Sequence, residues 1–259
     1  MAQTSSRESM RLAILSDIHG NFRALEAVLD DIEQQNIDTI ITLGDNIGYG
    51  PEPEQVVLEL IKRGIPSVMG NHELGLISPN YFGRLNFLTQ ESLDITRSLL
   101  SQKSLTWLAN LRPVIISNKT RFCHGCPPSS MTRYLYAPSD VRLTRIFQSY
   151  QEILCFSGHT HMLNLFEQRH TGEIIKKKLD FQPVSLDQQN RYLVIVGSVG
   201  QPRDSLNDSA KYAVWDTLAS NCAIRQIPYD VDTTIRLLKR HNFPPQNAKR
   251  LKWSKKDNR

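Results

Sequence analysis

The first part of the chain alternates short apolar runs with amphipathic stretches. Residues 12–15 and 39–43 are apolar runs of strand length that stop at polar residues, as buried strands do. Apolar residues recur at helical spacing over residues 21–35 and 54–63, which predicts a helix after each strand. Residues 67–69 form a third predicted strand. Strands that alternate with helices predict parallel pairing through right-handed crossovers.

The second half of the chain predicts a second sheet. Short strands are predicted at residues 121–123, 153–156, 193–196, 212–215 and 223–227. The turn residues at 170–173 predict a hairpin within this half. The strand pattern is mixed or antiparallel in character, so we expect a second sheet that packs on the first.

The remaining helices are predicted from apolar spacing and from residues that end helices. Residues 86–112 predict two helices separated near Ser101, and residues 139–150 predict another. A last helix is predicted at residues 233–240 and ends before Pro244. We expect the residues after Pro245 to be mobile.

Length and composition are typical of one large α/β unit of a soluble protein. The 259 residues are 40% hydrophobic and 22% charged. No apolar run approaches the roughly 20 residues of a membrane-spanning helix, and the N-terminus lacks a secretion-signal pattern. We therefore expect a cytoplasmic protein that does not associate with membranes. The C-x-x-C of Cys123 and Cys126 has no second pair, which favours ordinary thiols over a structural zinc site.

The positive charge is concentrated at the C-terminal end. Residues 231–259 contain nine Lys and Arg and two Asp, so this segment has a net charge of +7, whereas the whole chain has a net charge of +5. The rest of the chain is therefore weakly acidic, at −2. A basic segment can bind nucleic acid, but a solvated surface is the favoured interpretation.

Five short polar clusters stand where the apolar runs end. They contain Asp17 and His19; Asp45; Asn71 and His72; His124; and His159 and His161. In sheets with parallel strands, ligands gather at the carboxyl ends of the strands, where these clusters fall. Two carboxylates, one amide and five imidazoles suit a pair of divalent cations. Hydrolysis at phosphorus is the chemistry that such a pair serves.

The clusters, in this order, resemble the motifs of a known superfamily. Residues 17–161 contain, in this order, Asp-x-His, Gly-Asp, Gly-Asn-His-Glu, a lone His and Gly-His-x-His. These motifs are similar to those of the calcineurin-like metallophosphoesterases. Residues 197–204 resemble a segment of the small bacterial phosphodiesterase branch. The resemblance implies an α/β fold of two mixed β-sheets packed as a sandwich and flanked by helices, in four α/β/β/α layers. We expect a flexible arm at residues 1–10, a metallophosphoesterase domain at 11–230, and a basic C-terminal helix and tail at 231–259.

The resemblance also implies a role for each cluster residue. One divalent metal ion would be held by Asp17, His19 and His161, and the other by Asn71, His124 and His159. Asp45 would bridge the two ions. A hydroxide between them would attack phosphorus while His72, oriented by Glu73 or Asp45, protonates the leaving oxygen as the general acid. The oxygen and nitrogen donors favour Mn²⁺, and they also suit iron, zinc and nickel.

Departures from the superfamily pattern narrow the class of substrate. Protein phosphatases of the superfamily have arginines where this chain has Tyr49 and Met69. An arginine can donate two parallel hydrogen bonds to a phosphate, and neither tyrosine nor methionine can do so. A phosphoprotein phosphatase is therefore less favoured. Arg203 is the remaining candidate to bind the substrate phosphate, and an ion pair with Asp204 or another carboxylate would explain it equally well.

We expect a dinuclear metal-dependent phosphohydrolase that acts on small phosphodiesters, and on phosphomonoesters as a second class. One alternative is a nuclease of the same superfamily that holds DNA or RNA with the basic tail, although nucleic acid is the less favoured partner. The other alternative is a non-enzymatic scaffold with the same fold. The presence of His72 and of every predicted metal ligand argues against the scaffold.

Overall fold

Two mixed β-sheets pack face to face between two layers of helices in the computed structural model, which describes residues 10–204 and 206–252. This confirms the predicted four-layer α/β fold. The predicted N-terminal arm, apart from Met10, and the last seven residues of the predicted tail lie outside the described residues. None of the helices in the described part has the length and apolarity that crossing a membrane requires.

The strands are distributed along the whole described chain. They are β1 (Arg11–Leu15), β2 (Thr39–Thr42), β3 (Val114–Ser117), β4 (Thr120–Cys123), β5 (Leu154–Ser157), β6 (Leu163–Gln168), β7 (Ile174–Lys178), β8 (Val184–Ser185), β9 (Arg191–Val196), β10 (Ala210–Asp216) and β11 (Asn221–Ile227). The helices are α1 (Phe22–Ile32), α2 (Pro53–Lys62), α3 (Asn71–Ile77), α4 (Pro79–Phe82), α5 (Phe87–Leu99), α6 (Gln102–Ala109), α7 (Asp140–Gln148), α8 (Val231–Arg240) and α9 (Pro245–Lys249).

Each sheet combines parallel and antiparallel pairs. The five-stranded sheet has the order β2-β1-β10-β11-β8, in which β1 is parallel to β2 and antiparallel to β10. The six-stranded sheet has the order β3-β4-β5-β9-β6-β7, in which β4, β5 and β9 run parallel. Strands β6 and β7 form the predicted hairpin. The parallel strands of both sheets bring several polar clusters to their carboxyl ends.

Three layers of apolar contacts join the four layers of structure. Ile14 and Phe156 meet in the core between the two sheets. Leu25 on α1 packs against the outer face of the five-stranded sheet, and Phe147 on α7 packs against the outer face of the other. Each of these side chains is fully buried, which stabilises the fold by about 1.5–3 kcal/mol per side chain.

Local signals placed several helix boundaries correctly. Helix α1 follows Asn21, whose side chain caps it by accepting a hydrogen bond from the Ala24 N–H. Helices α5 and α6 are separated at Ser101, as predicted, because its side chain caps α6.

Two predictions about the course of the chain are wrong. Residues 67–69 form no strand; Ser67 and Val68 each make a single bridge, and the chain then turns into α3. Pro245–Lys249 forms α9 where a mobile segment was expected, and residues 253–259 of that segment lie outside the described residues. Leu251 is buried there against apolar side chains of α5 and α8, which accounts for its order.

Candidate metal centre

The predicted site residues converge at one edge of the two sheets. Asp17 follows β1, Asp45 follows β2, and His124 and His159 follow the parallel strands β4 and β5. Asn71 opens α3. The eight residues of the polar clusters are all buried, with at most 6% of any one exposed. A set of buried polar groups this dense requires partners, either from the protein or from a bound cation.

The backbone at this edge is strained. Five of the eight residues have a positive φ, between 51° and 67°: Asp17, His19, Asp45, His159 and His161. Such a φ is uncommon for residues other than glycine and costs about 1–3 kcal/mol each. The loops hold one another in this conformation, since the N–H of Asp17 donates to the Gly44 carbonyl (3.1 Å) and that of His19 to the Asp45 carbonyl (2.8 Å).

A first group of donors is formed by Asp17, His19 and His161. The Nε2 atom of His161 lies 3.2 Å from Asp17 Oδ1 and 3.1 Å from His19 Nε2. The Nδ1 atoms face backbone carbonyls, of Ile47 for His19 (3.3 Å) and of Gln201 for His161 (2.6 Å). Nδ1 must carry the proton in each neutral ring, so both Nε2 lone pairs point at the same space.

Burial and neighbouring charges favour the neutral form of the His19 and His161 imidazoles. Burial and then His72 lower the pKa of His19, and burial and then Arg203 lower the pKa of His161. Asp17 Oδ1, which they face, is buried and has no hydrogen-bond donor among the described residues. Two lone pairs and a carboxylate oxygen this close repel each other, and a cation between them would remove the repulsion.

A second group is formed by Asn71, His124 and His159. His124 Nε2 lies 3.2 Å from Asn71 Oδ1 and 2.9 Å from His159 Nδ1. The outer ring nitrogens again face carbonyls, with His124 Nδ1 2.8 Å from that of Leu43 and His159 Nε2 3.3 Å from that of Thr132. The second group therefore presents the same kind of donors as the first, with an amide oxygen in place of a carboxylate.

Asp45 lies between the two groups. Its Oδ2 is 3.3 Å from His124 Nε2 in the second group and 3.8 Å from His19 Nε2 in the first. Burial alone would raise the pKa of Asp45, but the histidines around it, His124 foremost, hold it well below its usual range. The sets Asp17–His19–His161 and Asp45–His124–His159 each bring ligand atoms within 4.8 Å of one another. The donors thus fit two neighbouring cations that share Asp45.

His72 stands beside both groups. Its Nε2 lies 3.9 Å from Asp45 Oδ2, and its backbone N–H donates to Asp45 Oδ1 (2.9 Å). Its buried Nδ1 has no hydrogen-bond partner among the described residues. Gly48 leaves room for the ring, because a Cβ there would lie 3.0 Å from both Cγ and Cε1 of His72.

Glu73 organises the loops, and its carboxylate forms its hydrogen bonds with Asp45, Asn46 and Gly70 rather than with the imidazole of His72. Its carboxylate accepts hydrogen bonds from the backbone N–H groups of Gly70, Asp45 and Asn46, at 2.7–2.9 Å. Burial and the charge of Asp45 raise the pKa of Glu73 to about 7, against these three donors. Of the two carboxylates considered for orienting His72, Asp45 is the one that contacts it.

Tyr49 joins the metal centre to the C-terminal segment, a connection that the sequence did not predict. Its ring packs 4.4 Å from that of His72 and 4.8 Å from that of His19, measured between centroids. The side-chain N–H₂ of Asn247 on α9 donates to the Tyr49 carbonyl (2.9 Å) and to Ser92 Oγ (3.0 Å). Asn247 is fully buried, although an asparagine in a basic, polar tail gives no local signal of burial.

Arg203 lies near the first group and does not form the ion pair with Asp204 that was the alternative explanation for it. The Asp204 carboxylate pairs instead with the buried Lys211, with Nζ–Oδ2 at 3.3 Å. Arg203 donates to Gln201 Oε1 (2.5 Å) and has no ion-pair partner among residues 10–204 and 206–252. Its charge contributes to the lowered pKa of His161. Arg203 therefore brings a positive charge to this edge that no described carboxylate pairs with.

A cavity lies at the edge of the sandwich opposite the polar clusters. Its volume is about 650 Å³, and it is lined by residues at the amino ends of the parallel strands, including Thr120 and Leu154. None of the predicted site residues lines it. The polar centre and this cavity are therefore separate features.

Comparisons with known proteins agree with this geometry. A family model described as calcineurin-like phosphoesterase matches residues 10–163. An uncharacterized protein of Methanocaldococcus jannaschii is 31% identical over 93% of this chain and 96% of its own length. The crystal structure of a metallophosphoesterase from Sphaerobacter thermophilus is 30% identical, with a TM-score of 0.79, over 93% of this chain and 98% of that one. A hypothetical protein from Pyrococcus horikoshii shares the fold at 19% identity, with a TM-score of 0.75 over 94% and 98% of the two chains.

Proposed function

Since this chain belongs to the calcineurin-like phosphoesterase family, we propose that it hydrolyses small phosphodiesters with the help of two divalent cations. Membership of the family implies a metal-dependent phosphoester hydrolase. The number of cations, the type of ester and the role of each residue are the parts that we propose.

The observation that carries the proposal is the pair of donor groups around Asp45. Asp17, His19 and His161 would hold one cation, and Asn71, His124 and His159 would hold the other. A backbone carbonyl lies beside the outer ring nitrogen of each of these four histidines, so that the other ring nitrogen faces the interior of its group. Asp17 Oδ1, which is buried and has no hydrogen-bond donor among the described residues, is the carboxylate oxygen that would bind the first cation. All donors are oxygen or nitrogen, which suits Mn²⁺ first and iron, zinc or nickel next.

The chemistry at phosphorus would be divided between the cations and the protein. When bound, two cations lower the pKa of a water molecule and offset the negative charge that develops on the phosphoryl oxygens. His72 would donate a proton from Nε2 to the leaving oxygen, and Asp45, whose Oδ1 accepts a hydrogen bond from the His72 backbone N–H, would hold that residue in place. Arg203 would bind a free oxygen of the phosphoryl group.

The charge around the centre favours diesters over monoesters. A diester carries one negative charge near neutral pH, whereas a monoester carries up to two. Tyr49 and Met69 stand where protein phosphatases of the superfamily have arginines. The centre thus lacks two cationic contacts that would favour the more highly charged monoester.

The test is an assay of the metal-free protein on bis-p-nitrophenyl phosphate and p-nitrophenyl phosphate, with Mn²⁺, Ni²⁺, Zn²⁺ or Mg²⁺ added in turn. We expect diester turnover to return with a transition metal. In His72→Ala it should fall by about 10²–10⁴-fold, the usual contribution of a general acid, while the bound metal is kept. His170→Ala is the matched control, because His170 is exposed and lies outside the clusters.

Two results would contradict the proposal. Full activity in His72→Ala would refute the acid role of that residue. Metal binding without turnover of either ester would refute the hydrolase function and favour the scaffold alternative.

A further inference from the structure

Three aromatic rings are stacked from the metal centre outwards. The ring of Tyr134 lies on that of His159, with centroids 3.7 Å apart and planes at 20°. The ring of Tyr136 lies on that of Tyr134, with centroids 5.3 Å apart and planes at 15°. We call Tyr134 and Tyr136 the tyrosine stack. It begins at a predicted metal ligand and leads away from the centre.

The loop that carries the tyrosine stack is held in place by hydrogen bonds. The N–H of Cys126 donates to the Arg133 carbonyl (3.0 Å), and Arg142 Nη2 donates to the Tyr134 carbonyl (2.8 Å). Leu135, between the two tyrosines, is 2% exposed and anchors the loop in the core. The two rings are therefore ordered before any ligand arrives, which lowers the entropic cost of binding.

Both rings are nevertheless open to solvent. Tyr134 is 45% exposed and Tyr136 is 54% exposed. An isolated exposed tyrosine needs no explanation, but an ordered stack beside a buried polar centre presents a continuous aromatic surface. Such a surface binds planar rings, because every nucleobase or aryl group has a π-face.

The tyrosine stack directly adjoins the candidate metal centre. The ring of His159, on which Tyr134 lies, has its Nδ1 2.9 Å from His124 Nε2, and Asp45 Oδ2 is 3.3 Å from that same His124 atom. One substrate could therefore place its phosphate at the donor groups and a neighbouring ring on the stack.

We propose that the tyrosine stack is a binding site for the planar base of one ester group, so that the preferred substrate class is a small nucleoside phosphodiester. The inference rests on the proposed function, because the phosphate of the same molecule must reach the metal centre. Among the described residues Tyr136 is the last ring of the stack, so the stack can be extended by a single base. A polymer would need further stacking positions along the strand.

The test compares two diesters that release the same group. Thymidine 5′-(p-nitrophenyl) phosphate and methyl p-nitrophenyl phosphate share the leaving group and the charge, and differ in the nucleoside. With the full-length protein loaded with Mn²⁺, we expect a higher kcat/KM for the nucleoside ester. The ratio of the two values should fall about tenfold in Tyr136→Leu, within the usual range for loss of one base–aromatic stack.

Two control variants isolate the ring. Tyr136→Phe keeps the ring and should keep the ratio. Phe87→Leu removes another exposed ring, 78% open to solvent, and should give the wild-type ratio. A second measurement needs no variant: thymidine 5′-monophosphate should inhibit the wild-type protein at a concentration about tenfold lower than methyl phosphate does.

The outcomes separate this inference from the proposed function. Turnover of both esters with a ratio near one, or a ratio that Tyr136→Leu leaves unchanged, would overturn the stacking site alone. Preference for an oligonucleotide over the mononucleotide ester would overturn the assignment to small substrates. Turnover of neither ester would overturn the proposed function, and the stacking site with it.

Discussion

The space between Gly48 and His72 gives the sharpest prediction. A methyl group added at Gly48 should lower the catalytic rate without changing any of the proposed metal ligands. Gly48 has a φ of +85°, and a Cβ added there would overlap Nδ1 of His72 and lie 3.0 Å from Cγ and Cε1 of the same ring. Ordinary contacts between non-bonded heavy atoms are about 3.5–4.0 Å. Because the overlap with Nδ1 is the most severe, the imidazole in Gly48→Ala must retreat by about 1 Å or more.

The expected loss follows from that displacement. A misplacement of about 1 Å in catalytic geometry costs about 10²-fold in rate. We expect kcat on bis-p-nitrophenyl phosphate to fall by that factor in Gly48→Ala. The free energy of unfolding should also fall, by about 1–2 kcal/mol, because alanine is strained at a left-handed φ.

Gly172→Ala separates the two effects. Gly172 has a φ of +89°, and a Cβ there would meet no atom within 4 Å. This variant should lose similar stability in urea unfolding and keep the wild-type kcat. Metal content, measured by mass spectrometry, should be unchanged in both variants. An undiminished kcat in Gly48→Ala would refute the positional role of His72, and loss of metal would place His72 among the ligands.

The remaining predictions concern charge, burial and pH. Asp45→Asn should weaken Mn²⁺ binding at least about tenfold in calorimetry, as loss of a partner around a metal typically does; unchanged affinity would contradict the bridging role. Asn247→Ala leaves a buried carbonyl without its donor and should cost about 1–3 kcal/mol of unfolding free energy in urea. Deletion of residues 242–259 should lower turnover of small diesters and nucleic acid alike, whereas a loss confined to nucleic acid would favour the nuclease alternative. Burial alone would raise the pKa of Asp31, but the bidentate hydrogen bonds of Arg225 lower it. The stability from this pair is present above about pH 4 and is lost as the pH falls through the lowered pKa, so the urea midpoints of wild type and Asp31→Asn should converge on acidification.

The fold and the polar centre were largely predictable because their signals are local. Apolar runs that stop at Asp17 or Asp45 mark strand ends, and parallel pairing carries those ends to one edge. The prediction failed at residues 67–69, since an apolar run does not reveal whether a neighbouring strand is there to pair with it. The structure supplies only single bridges at that point.

The contacts that no local pattern encodes were missed. Asn247 donates a hydrogen bond to Tyr49, which is 198 positions away in the sequence. No sequence pattern near either residue predicts this contact. The stack of Tyr134 on His159 likewise depends on a loop conformation that is fixed by distant hydrogen bonds. Residue type and spacing therefore identified the polar side chains that converge at this edge, while the packing around them required the tertiary structure.

The central claim is that two cations lie side by side around Asp45, and counting them is its most direct test. Metal-free protein would be reconstituted with Mn²⁺ and freed of excess metal by gel filtration. Metal per chain would then be measured by mass spectrometry, and the coupling between ions by electron paramagnetic resonance. Two magnetically coupled Mn²⁺ ions per chain are predicted. One isolated ion per chain, or none, would contradict the account.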